Sequence, residues 1–600
     1  MKLLKILRWI EARLEKDRNI VLILAAAAVI AYLNSIEVPF ILDDFGSISN
    51  NYAIHTLFDF DALWKFYANR IVLYFTLSLN YAVHDNGVEG YHVVNILIHI
   101  INGMLLYCII YRLLSLPYFA GKLLSRHKRL VSASIALLFI VHPIQVNAVS
   151  YIIQRTASLA ATFYFAAILL FIKYRMQNKV RHFVLMMVFI ILAMFTKENT
   201  ITIPFMLLLI ELFFFTGIGK TAWYKRILIF LIIFATVPII PGTNLLLKGY
   251  SQSDPNVSFK ASTSMDRMQY FYTELNVVLY YIRLMFIPDR QNFDYSNDWA
   301  VSKTIWDNYS YLSFAVWVLI AVLSIFLFKR NRLAAFGILW FFMGLAVEST
   351  FISIKDVYFE HRLYFPCAGF LMFLAGMIFY ERKPEVPDRG LYLIKKPVLL
   401  FCIVTLICYF LYTGLTIKRN YVYSDSIRLW TDVLEKAPGS DRGHSVLATS
   451  YLNAYSEKKK NTGYLDIAEK EFKKAIEIYY SSSTAHTNLA KVYLLQGKYR
   501  ECIDEAQKSL NITKSEYAEY NIGSAYFKMG DTRKSLDAYL AGYGINKRST
   551  FILKALGESY EKLKDYKNSI FYYEEYVKNN RGSDNEGIKK KIDEMKKELK

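Results

Sequence analysis

Long apolar runs recur through the first 420 residues, and they constrain the fold more than any other feature of the chain. About eleven of them have the length and composition of membrane-spanning helices. They lie near residues 20–36, 93–115, 130–148, 157–174, 182–196, 200–218, 227–247, 311–328, 333–350, 364–380 and 397–416. Because backbone amides need internal partners in lipid, these runs predict an all-α membrane domain.

The segment 268–287 is a twelfth candidate with a less suitable composition. Charged and amide side chains within it or next to it are costly in lipid. They are Arg267, Glu274, Asn276 and Arg283. We expect this segment to form an interfacial helix, or one that packs against the protein body, rather than a span.

Basic residues are concentrated in alternate short turns between the apolar runs. The clusters are Lys122, Arg126, Lys128 and Arg129; Lys173, Arg175, Lys179 and Arg181; Lys220, Lys225 and Arg226; Lys329, Arg330 and Arg332; and Arg382, Lys383, Lys395 and Lys396. Cytoplasmic turns carry such an excess, so the amino terminus is predicted inside. Keeping 268–287 out of the bilayer places both late clusters on that side. The net charge of +20 therefore reflects topology and not a nucleic-acid interface.

The composition changes near residue 420, after which the chain is polar and has no long apolar run. We predict a membrane domain over 1–420, with outer loops at 37–92, 248–310 and 351–363, and a soluble domain over 421–600. The basic stretch before the first run indicates an uncleaved first helix rather than a signal peptide. The five scattered cysteines are interpreted as packing residues.

The soluble part repeats with a period of 33 to 34 residues, in stretches that begin at Thr487, Tyr520 and Lys554. A small residue, where paired helices touch, is followed three residues later by tyrosine. These positions are Ala490, Gly523 and Gly557, then Tyr493, Tyr526 and Tyr560. A looser unit runs from about Arg442 to Tyr480. This is the tetratricopeptide pattern, and it predicts an α-solenoid of about four repeats. Its concave surface suits an extended peptide, and a spacer or assembly surface is the alternative.

Two adjacent acids, Asp43 and Asp44, follow the first span in the sequence PFILDDFGSI. Adjacent carboxylates repel, so one pKa tends to rise, which suits a proton acceptor near neutral pH. A solvated turn is the alternative interpretation of this pair.

Further polar residues lie at the predicted outer ends of other spans. They are His92, Asn95 and His99; His142 and Arg155; Lys197 and Glu198; and Glu360, His361, Arg362 and Tyr364. Each alone is compatible with an ion pair or a hydrogen bond between helices. Together they put an acidic pair and three cations, Arg155, Lys197 and Arg362, on one face, the combination that activates a hydroxyl and holds a departing phosphate.

These motifs resemble the transmembrane and tetratricopeptide-repeat-containing O-mannosyltransferases, members of the wider GT-C class of glycosyltransferases. The match is carried by the acidic pair, by the repeats, and by four stretches in a specific order. Those stretches are LNYAVHDNGVEGYHVVNILIH from Leu79, LLFIVHPIQVNAVSYIIQR from Leu137, FTKENTIT from Phe195 and EHRLYFPCAGF from Glu360. Residues 68–71 depart from the family's Tyr-Arg-Pro segment, which leaves Arg70 without an assigned role.

The resemblance implies transfer of a monosaccharide, mannose-like, from a polyprenyl-phosphate donor to a Ser or Thr hydroxyl of a protein, with inversion. It makes Asp43 or Asp44 the base, and Arg155, Lys197 and Arg362 the donor-phosphate ligands. His92, His142, Glu198, Glu360, His361 and Tyr364 are assigned supporting roles. A divalent metal stays open, and no metal ligand is predicted.

The expected location is a bacterial inner membrane, with the active-site loops and the repeats in the periplasm. The partners would be the lipid-linked donor, a protein acceptor and membrane lipids. The alternatives are transfer to a lipid or glycan, an oligosaccharide ligase, a non-catalytic scaffold that recruits partners, and a transporter. Charged residues gathered at one face, and not at mid-bilayer, disfavour the transporter.

Overall fold

The computed structural model describes residues 16–215, 223–246, 265–352, 354, 356–380, 396–457, 461–580 and 584–599. The amino-terminal basic stretch up to residue 15, Lys220, and the cluster from Arg382 to Lys395 lie outside these residues. Within them, every regular element is helical. Two compact units contain Met1–Phe293 with Trp299–Leu429, and Asp294–Asp298 with Trp430–Lys600.

The first unit holds the apolar helices. In chain order they and their connecting helices are α1 (Asp17–Tyr32), α2 (Phe60–Tyr67), α3 (Ile71–His84), α4 (Val88–Leu113), α5 (Leu123–Arg126), α6 (Lys128–Val141), α7 (Val146–Val149), α8 (Arg155–Gln177), α9 (Val180–Met194), α10 (Ile203–Ile210), α11 (Trp223–Phe234), α12 (Ile239–Leu246), α13 (Arg267–Phe286), α14 (Ser310–Arg330), α15 (Arg332–Leu345), α16 (Pro366–Ile378) and α17 (Lys396–Tyr423).

Seven helical segments in the described residues are long and apolar enough to cross a bilayer. They are Asp17–Ser35, Val88–Leu113, Ile152–Gln177, Glu198–Phe215, Trp223–Thr243, Asp307–Arg330 and Lys396–Tyr423. An eighth span results if the pair Lys128–Val141 and Pro143–Val149, bent by 52°, is counted as one. Several spans of a membrane protein are thus present, but the predicted count of eleven is not reached.

The three remaining predicted spans form the apolar helices α9, α15 and α16, which have 15, 14 and 13 residues. At 1.5 Å per residue each extends only about 20 Å, less than the hydrocarbon core of about 30 Å. Apolar composition alone overestimated their helical length. In the sequence 333–350, for example, the helix ends at Leu345 and a turn reaches Glu348.

Helix α13, which coincides with the segment predicted to be interfacial, is not among the seven candidate spans. One side of it is buried in the protein, including the side chains of Tyr270, Glu274 and Tyr281. A buried carboxylate is costly unless it has a partner, so the position of α13 depends on the residues that pair with Glu274. Those surroundings form part of the candidate site.

Two glycines bring α15 and α16 into backbone contact. A Cβ on Gly337 would lie 2.5 Å from the carbonyl oxygen of Gly369 and from the amide nitrogen of Phe373, and one on Gly369 would lie 2.6 Å from the carbonyl oxygen of Gly337. Small residues allow this approach between membrane helices. The contact fixes the positions of the residues that follow α15 relative to those that precede α16.

The second unit is built from helix pairs of similar length. Its helices are α19 (Asp441–Glu457), α20 (Thr462–Ile478), α21 (Ser483–Gln496), α22 (Tyr499–Ile512), α23 (Glu516–Met529), α24 (Thr532–Ile545), α25 (Thr550–Lys562), α26 (Tyr566–Asn579) and α27 (Asn585–Glu598), preceded by α18 (Ser426–Lys436), which contains the unit boundary. Gly523 and Gly557 pack directly against the rings of Tyr539 and Tyr573 on the following helix, as the repeat pattern requires.

Residues 294–298 belong to this second unit although they are distant in sequence. The Asp294 carboxylate accepts hydrogen bonds from the Arg442 guanidinium, and Asp298 accepts one from the Gly439 amide at 2.9 Å. The sequence had assigned this segment to an outer loop of the membrane domain, because nothing in its composition distinguishes it from its neighbours.

We predict that Gly337→Ala lowers the melting temperature of the detergent-purified chain, because the new methyl group meets backbone atoms that cannot rotate away. Overpacking of this kind costs about 1–3 kcal/mol, more than the helix propensity that alanine gains. Gly414→Ala on α17 is the matched control, because a Cβ there meets nothing within 4 Å. Equal melting temperatures for the two variants would contradict the close contact.

Candidate functional site

Asp44 is buried, with 1% of its surface exposed, and joins two parts of the chain. One carboxylate oxygen accepts a hydrogen bond from the Ile41 amide at 2.9 Å, and the other accepts one from the Ile153 amide at 2.7 Å. Ile153 lies just before α8, so this single side chain fastens the first turn to the start of that helix. We call these two hydrogen bonds to Asp44 the clamp.

The pKa of Asp44 is raised to about 8, chiefly because burial disfavours the charged carboxylate. The two amide donors and Arg155 act in the opposite direction, and the neighbouring Asp43 adds a smaller increase. The sequence predicted a raised pKa within the pair from mutual repulsion. The structure assigns the larger part to burial of one member.

Asp43 is exposed, in contrast to its neighbour. Its backbone amide donates to the Tyr151 hydroxyl at 3.1 Å, and the same phenol interacts with the Asp43 carboxylate. Burial, followed by the charges of Asp43 and Asp44, raises the pKa of Tyr151 well above its usual range. Tyr151 therefore keeps its proton and can donate to Asp43. Of the two acids, only Asp43 is accessible to an acceptor.

Lys197 and Arg362 lie in one cluster of buried charges. Lys197 Nζ is 2.7 Å from Glu348 Oε1, and the Arg362 guanidinium is 3.4 Å from Glu274 Oε1. Arg362 also donates to the carbonyl oxygens of Val357 at 2.7 Å and Glu348 at 3.3 Å. The cluster joins α13 with the turns after α9 and α15 and with the 3₁₀ helix Glu360–Leu363.

Arg70 is the cation that sequence reasoning left without a role. Its Nε and Nη2 donate to the two carboxylate oxygens of Glu198 at 3.1 and 3.0 Å, a bidentate ion pair. The side chains of Arg70 and Glu198 are 30% and 28% exposed, whereas those of Lys197 and Arg362 are almost fully buried. This pair is therefore the accessible edge of the cluster.

The electrostatics of His361 show that these cations share one neighbourhood. The pKa of His361 lies well below its usual range, first because the ring is buried and then because Lys197, Arg362 and Arg70 repel a further positive charge. The imidazole is neutral at physiological pH. Its Nδ1 donates a hydrogen bond to Asn147 Oδ1 at 3.1 Å, and its ring stacks on Phe359.

Tyr74 on α3 is within electrostatic range of both the exposed acid and one of the cations. Burial raises its pKa, Arg70 lowers it, and Asp43 adds a smaller increase. Since both charges act on one phenol, Asp43 and Arg70 lie on the same side of the membrane unit. No motif identified Tyr74, because its polar role depends on neighbours from distant parts of the chain.

Two buried acids, Glu274 and Glu360, have different partners. Burial raises the pKa of Glu274 to about 7, although Arg362 opposes the shift. Glu360 is fully buried and accepts hydrogen bonds from the Asn292 amide at 2.6 Å and the Gln291 side chain at 3.0 Å. Glu360 therefore holds the segment after α13, and does not face the exterior.

Arg155 has different hydrogen-bond partners from the other two cations predicted to bind phosphate. It is fully buried and donates to Asn95 Oδ1 at 2.7 Å and to the carbonyl oxygens of Tyr91 and Thr76 at 3.1 and 3.2 Å. These contacts do not include Lys197 or Arg362. The sequence placed all three together because they follow turns predicted to face outward, and such a prediction does not give the direction of a side chain.

The predicted supporting residues on α4 and near α6 make buried contacts. His92 Nε2 donates to Val38 O at 2.8 Å, and His142 Nδ1 accepts from the Ile144 amide at 3.2 Å. The Tyr364 hydroxyl is 2.7 Å from His99 Nδ1. The structure thus brings Glu198 and His361 to the cations, and it leaves His92, His142 and Tyr364 between helices.

The site therefore contains one exposed carboxylate, that of Asp43, with the phenols of Tyr151 and Tyr74 in electrostatic range of it. It also contains three cations, which all act on the neutral imidazole of His361. Among the described residues no group of three or more His, Cys, Asp or Glu side chains could hold a metal ion. The arrangement suits proton acceptance at Asp43 and stabilisation of an anion near Arg70 and Lys197.

Comparison with known proteins gives two sequence matches. A tetratricopeptide-repeat family model matches residues 555–582. A protein O-mannosyl-transferase of Caenorhabditis elegans is 25% identical over 467 residues, which cover 75% of this chain and 62% of that protein. The chain thus spans less than two thirds of the length of this curated relative. It is similar to a protein O-mannosyl-transferase and carries a tetratricopeptide repeat.

Solved structures give weaker matches. The crystal structure of MamA is 20% identical and covers 27% of this chain and 90% of its own, with a TM-score of 0.23. The crystal structure of yeast Tom70 is 12% identical and covers 80% of this chain and 94% of its own, with a TM-score of 0.26. Scores at this level carry no argument about architecture.

We predict that Asp44→Asn destabilises the protein at pH 5 and that Asp43→Asn does not. Asparagine has one acceptor oxygen, so one of the amides of Ile41 and Ile153 loses its partner, at a cost of about 1–3 kcal/mol. Asp43 is exposed, so its replacement leaves the melting temperature unchanged. Thermal unfolding of both variants in detergent measures this, and equal melting temperatures would contradict the clamp.

The same pair predicts a pH dependence. The folded-state pKa of Asp44 is about 8 and the unfolded value is near 4, so between these pH values the native chain holds a proton that the unfolded chain has released. Stability from this group is greatest below pH 4 and falls as pH rises to 8. The difference in melting temperature between wild type and Asp44→Asn should therefore narrow from pH 5 to pH 8. A constant difference would contradict the raised pKa.

Proposed function

We propose that this protein is a GT-C membrane glycosyltransferase that transfers a monosaccharide, mannose-like by resemblance, from a polyprenyl phosphate to a Ser or Thr hydroxyl of a protein. The observation that supports it most is an exposed carboxylate, Asp43, on the same side as a cluster of cations that is accessible at Arg70. The similarity to a protein O-mannosyl-transferase over 75% of the chain agrees with this activity.

In this proposal Asp43 is the general base. The acceptor hydroxyl loses its proton to the Asp43 carboxylate as its oxygen bonds to the anomeric carbon. The bond from that carbon to the phosphate oxygen breaks, and the electron pair leaves with the polyprenyl phosphate. Attack from the face opposite the leaving group inverts the configuration. A carboxylate nearby also stabilises the positive charge of an oxocarbenium-like transition state.

Arg70 and Lys197 supply the charge that the leaving phosphate requires. Each is paired with a carboxylate in this structure, at distances of 3.0 and 2.7 Å. A phosphate that reaches the exposed edge of the cluster competes with Glu198 for the Arg70 guanidinium, which binds either anion through two parallel N–H bonds. Arg362 is a positioning residue, because its donors face the carbonyl oxygens of Val357 and Glu348 and the Glu274 carboxylate.

The donor, the acceptor and the membrane spans have the following proposed positions. The donor's lipid tail lies among the apolar helices, and the repeat domain binds the protein acceptor. The eleven apolar runs are proposed as eleven spans, of which the three short helices cross where the bilayer is thinned or where the turns complete the span. The amino terminus is cytoplasmic, and the site and repeats face the periplasm of a bacterium.

Asp43→Asn should reduce transfer by about a hundredfold or more without lowering the melting temperature, because it removes the base while the asparagine amide oxygen can still accept from the Tyr151 hydroxyl. The assay uses protein reconstituted with a panel of polyprenyl-phosphate sugars and acceptor peptides, and mass spectrometry of the peptides. Asp61→Asn is the matched control, since this exposed acid pairs only with Lys65 on α2 among the described contacts. Full activity of Asp43→Asn would overturn the assignment.

Arg70→Gln should weaken donor binding by about tenfold, because one charge-assisted bidentate contact is lost. Glu198→Gln should leave donor affinity unchanged or increase it, because it removes the carboxylate that competes with the phosphate. Arg283→Gln, which breaks the exposed pair with Asp289 on α13, is the control. Binding is measured by titration with the polyprenyl-phosphate sugar. Equal loss in Arg70→Gln and Glu198→Gln would indicate a purely structural ion pair.

A further inference from the structure

A basic cavity lies in the first unit, away from the candidate site. It is lined by cations and aromatic rings from three separate connections: Tyr118, Phe119, Lys122 and Leu124; Arg330, Asn331 and Arg332; and Phe379 and Tyr380. Three of these nine residues are cations, and none of the described lining residues is an acid. A cavity with this composition favours an anionic ligand.

The course of the helices places this cavity at the opposite end from the candidate site. Helix α15 begins at Arg332 and ends shortly before Glu348, and α16 begins after Arg362 and ends shortly before Phe379. Helix α4, likewise, runs from the His92 end to the connection that contains Lys122. The cavity and the candidate site are thus at the two ends of the same helices, so one phosphate cannot occupy both.

The cations of the cavity are held by aromatic rings and carbonyl oxygens, and no described carboxylate is paired with them. Lys122 Nζ lies 3.5 Å from the centre of the Tyr118 ring, and the Arg332 guanidinium carbon lies 4.4 Å from the same ring. Arg332 Nη1 donates to Phe213 O at 2.6 Å. Cation–π contacts orient the cations without neutralising their charge.

The solvent exposure of these side chains increases from Asn331 to Arg330. Asn331 is buried and donates to Gly376 O at 2.6 Å, whereas Lys122 and Arg332 are half-buried and Arg330 is exposed. Topology alone requires cations in these turns, but it does not require them to converge on one cavity. A bound anion would explain why these cations converge from three connections.

The surface beside Arg330 indicates the source of the anion. Arg330 is the last residue of α14, of whose most apolar stretch only 17% is buried within the protein. Its guanidinium lies over the Phe326 ring at 4.0 Å, and the neighbouring Ile325 and Phe326 are exposed. A headgroup at Arg330 would place its acyl chains along this apolar face. A free phosphate would make no use of that face.

We propose that Lys122, Arg330 and Arg332 bind the phosphate of an anionic membrane lipid in the leaflet opposite the candidate site. The headgroup occupies the cavity between the three connections, and the acyl chains follow α14. Basic pockets between membrane helices bind anionic headgroups by this chemistry. The proposal is independent of the proposed sugar transfer.

Native mass spectrometry of the full chain in detergent tests this proposal. The probes are phosphatidic acid, phosphatidylcholine with the same acyl chains, and inorganic phosphate. Phosphatidic acid should bind at least tenfold more tightly than either of the other two. Lys122→Gln and Arg330→Gln should each weaken its binding about fivefold, since each cation near a lipid phosphate contributes about 1 kcal/mol. Lys329→Gln is the matched control, because this exposed cation adjoins the cavity without lining it.

Several outcomes would overturn the proposal. Equal binding of phosphatidic acid and phosphatidylcholine would exclude recognition of an anion. Equal loss in Lys329→Gln and Lys122→Gln would indicate diffuse surface charge in place of a site. Inorganic phosphate that binds as tightly as phosphatidic acid would exclude a lipid as the source. Melting temperatures of the variants within 2 °C of wild type, on the order of 0.5 kcal/mol, exclude unfolding as the cause of a loss.

Discussion

The candidate site depends on the pairing of charges inside an apolar body. Lys197, Glu348, Arg362 and Glu274 are nearly fully buried, and each would be costly alone. Their pairing joins four segments that are distant in sequence, and the backbone contact of Gly337 with Gly369 fixes the helices on either side. The cluster is thus a rigid base that presents Arg70 and Glu198 at its edge. Removing one partner would leave an uncompensated buried charge, which disfavours any rearrangement that separates a pair.

Asp43 and Asp44 are adjacent in sequence but differ in burial, and they therefore have different roles. Asp44 accepts two backbone amides and holds the chain, whereas Asp43 faces outward beside Tyr151. The same contrast separates the cations: Arg155 and Arg362 are directed at the protein's own oxygens, and Arg70 is half-exposed. In the proposed reaction the buried members orient the accessible ones, which agrees with the general need of a catalytic site for a preorganised polar environment.

Hydrophobic runs and a repeat period were sufficient to predict an all-helical chain with membrane helices and a tetratricopeptide array. They did not predict where α9, α15 and α16 end, because apolar composition continues into turns. Motifs singled out Asp43, Lys197 and Arg362, whose functional roles stay predictions. They did not single out Tyr74 or Glu348 and gave Arg70 no role, since the contacts of these residues come from distant segments. Arg155 was grouped with Lys197 and Arg362, whereas its hydrogen bonds go to Asn95, Tyr91 and Thr76, because a sequence pattern does not give the direction of a side chain. Its role in phosphate binding stays a prediction.

The central claim is that the cluster edge at Arg70 and Lys197 receives the donor phosphate while Asp43 stays open to an acceptor. An experimental structure of the full chain with a bound polyprenyl-phosphate sugar tests it most directly. The account predicts the phosphate within hydrogen-bond distance of the Arg70 guanidinium, with Glu198 displaced and the sugar facing Asp43. A phosphate bound elsewhere, with the Arg70–Glu198 pair intact, would contradict it.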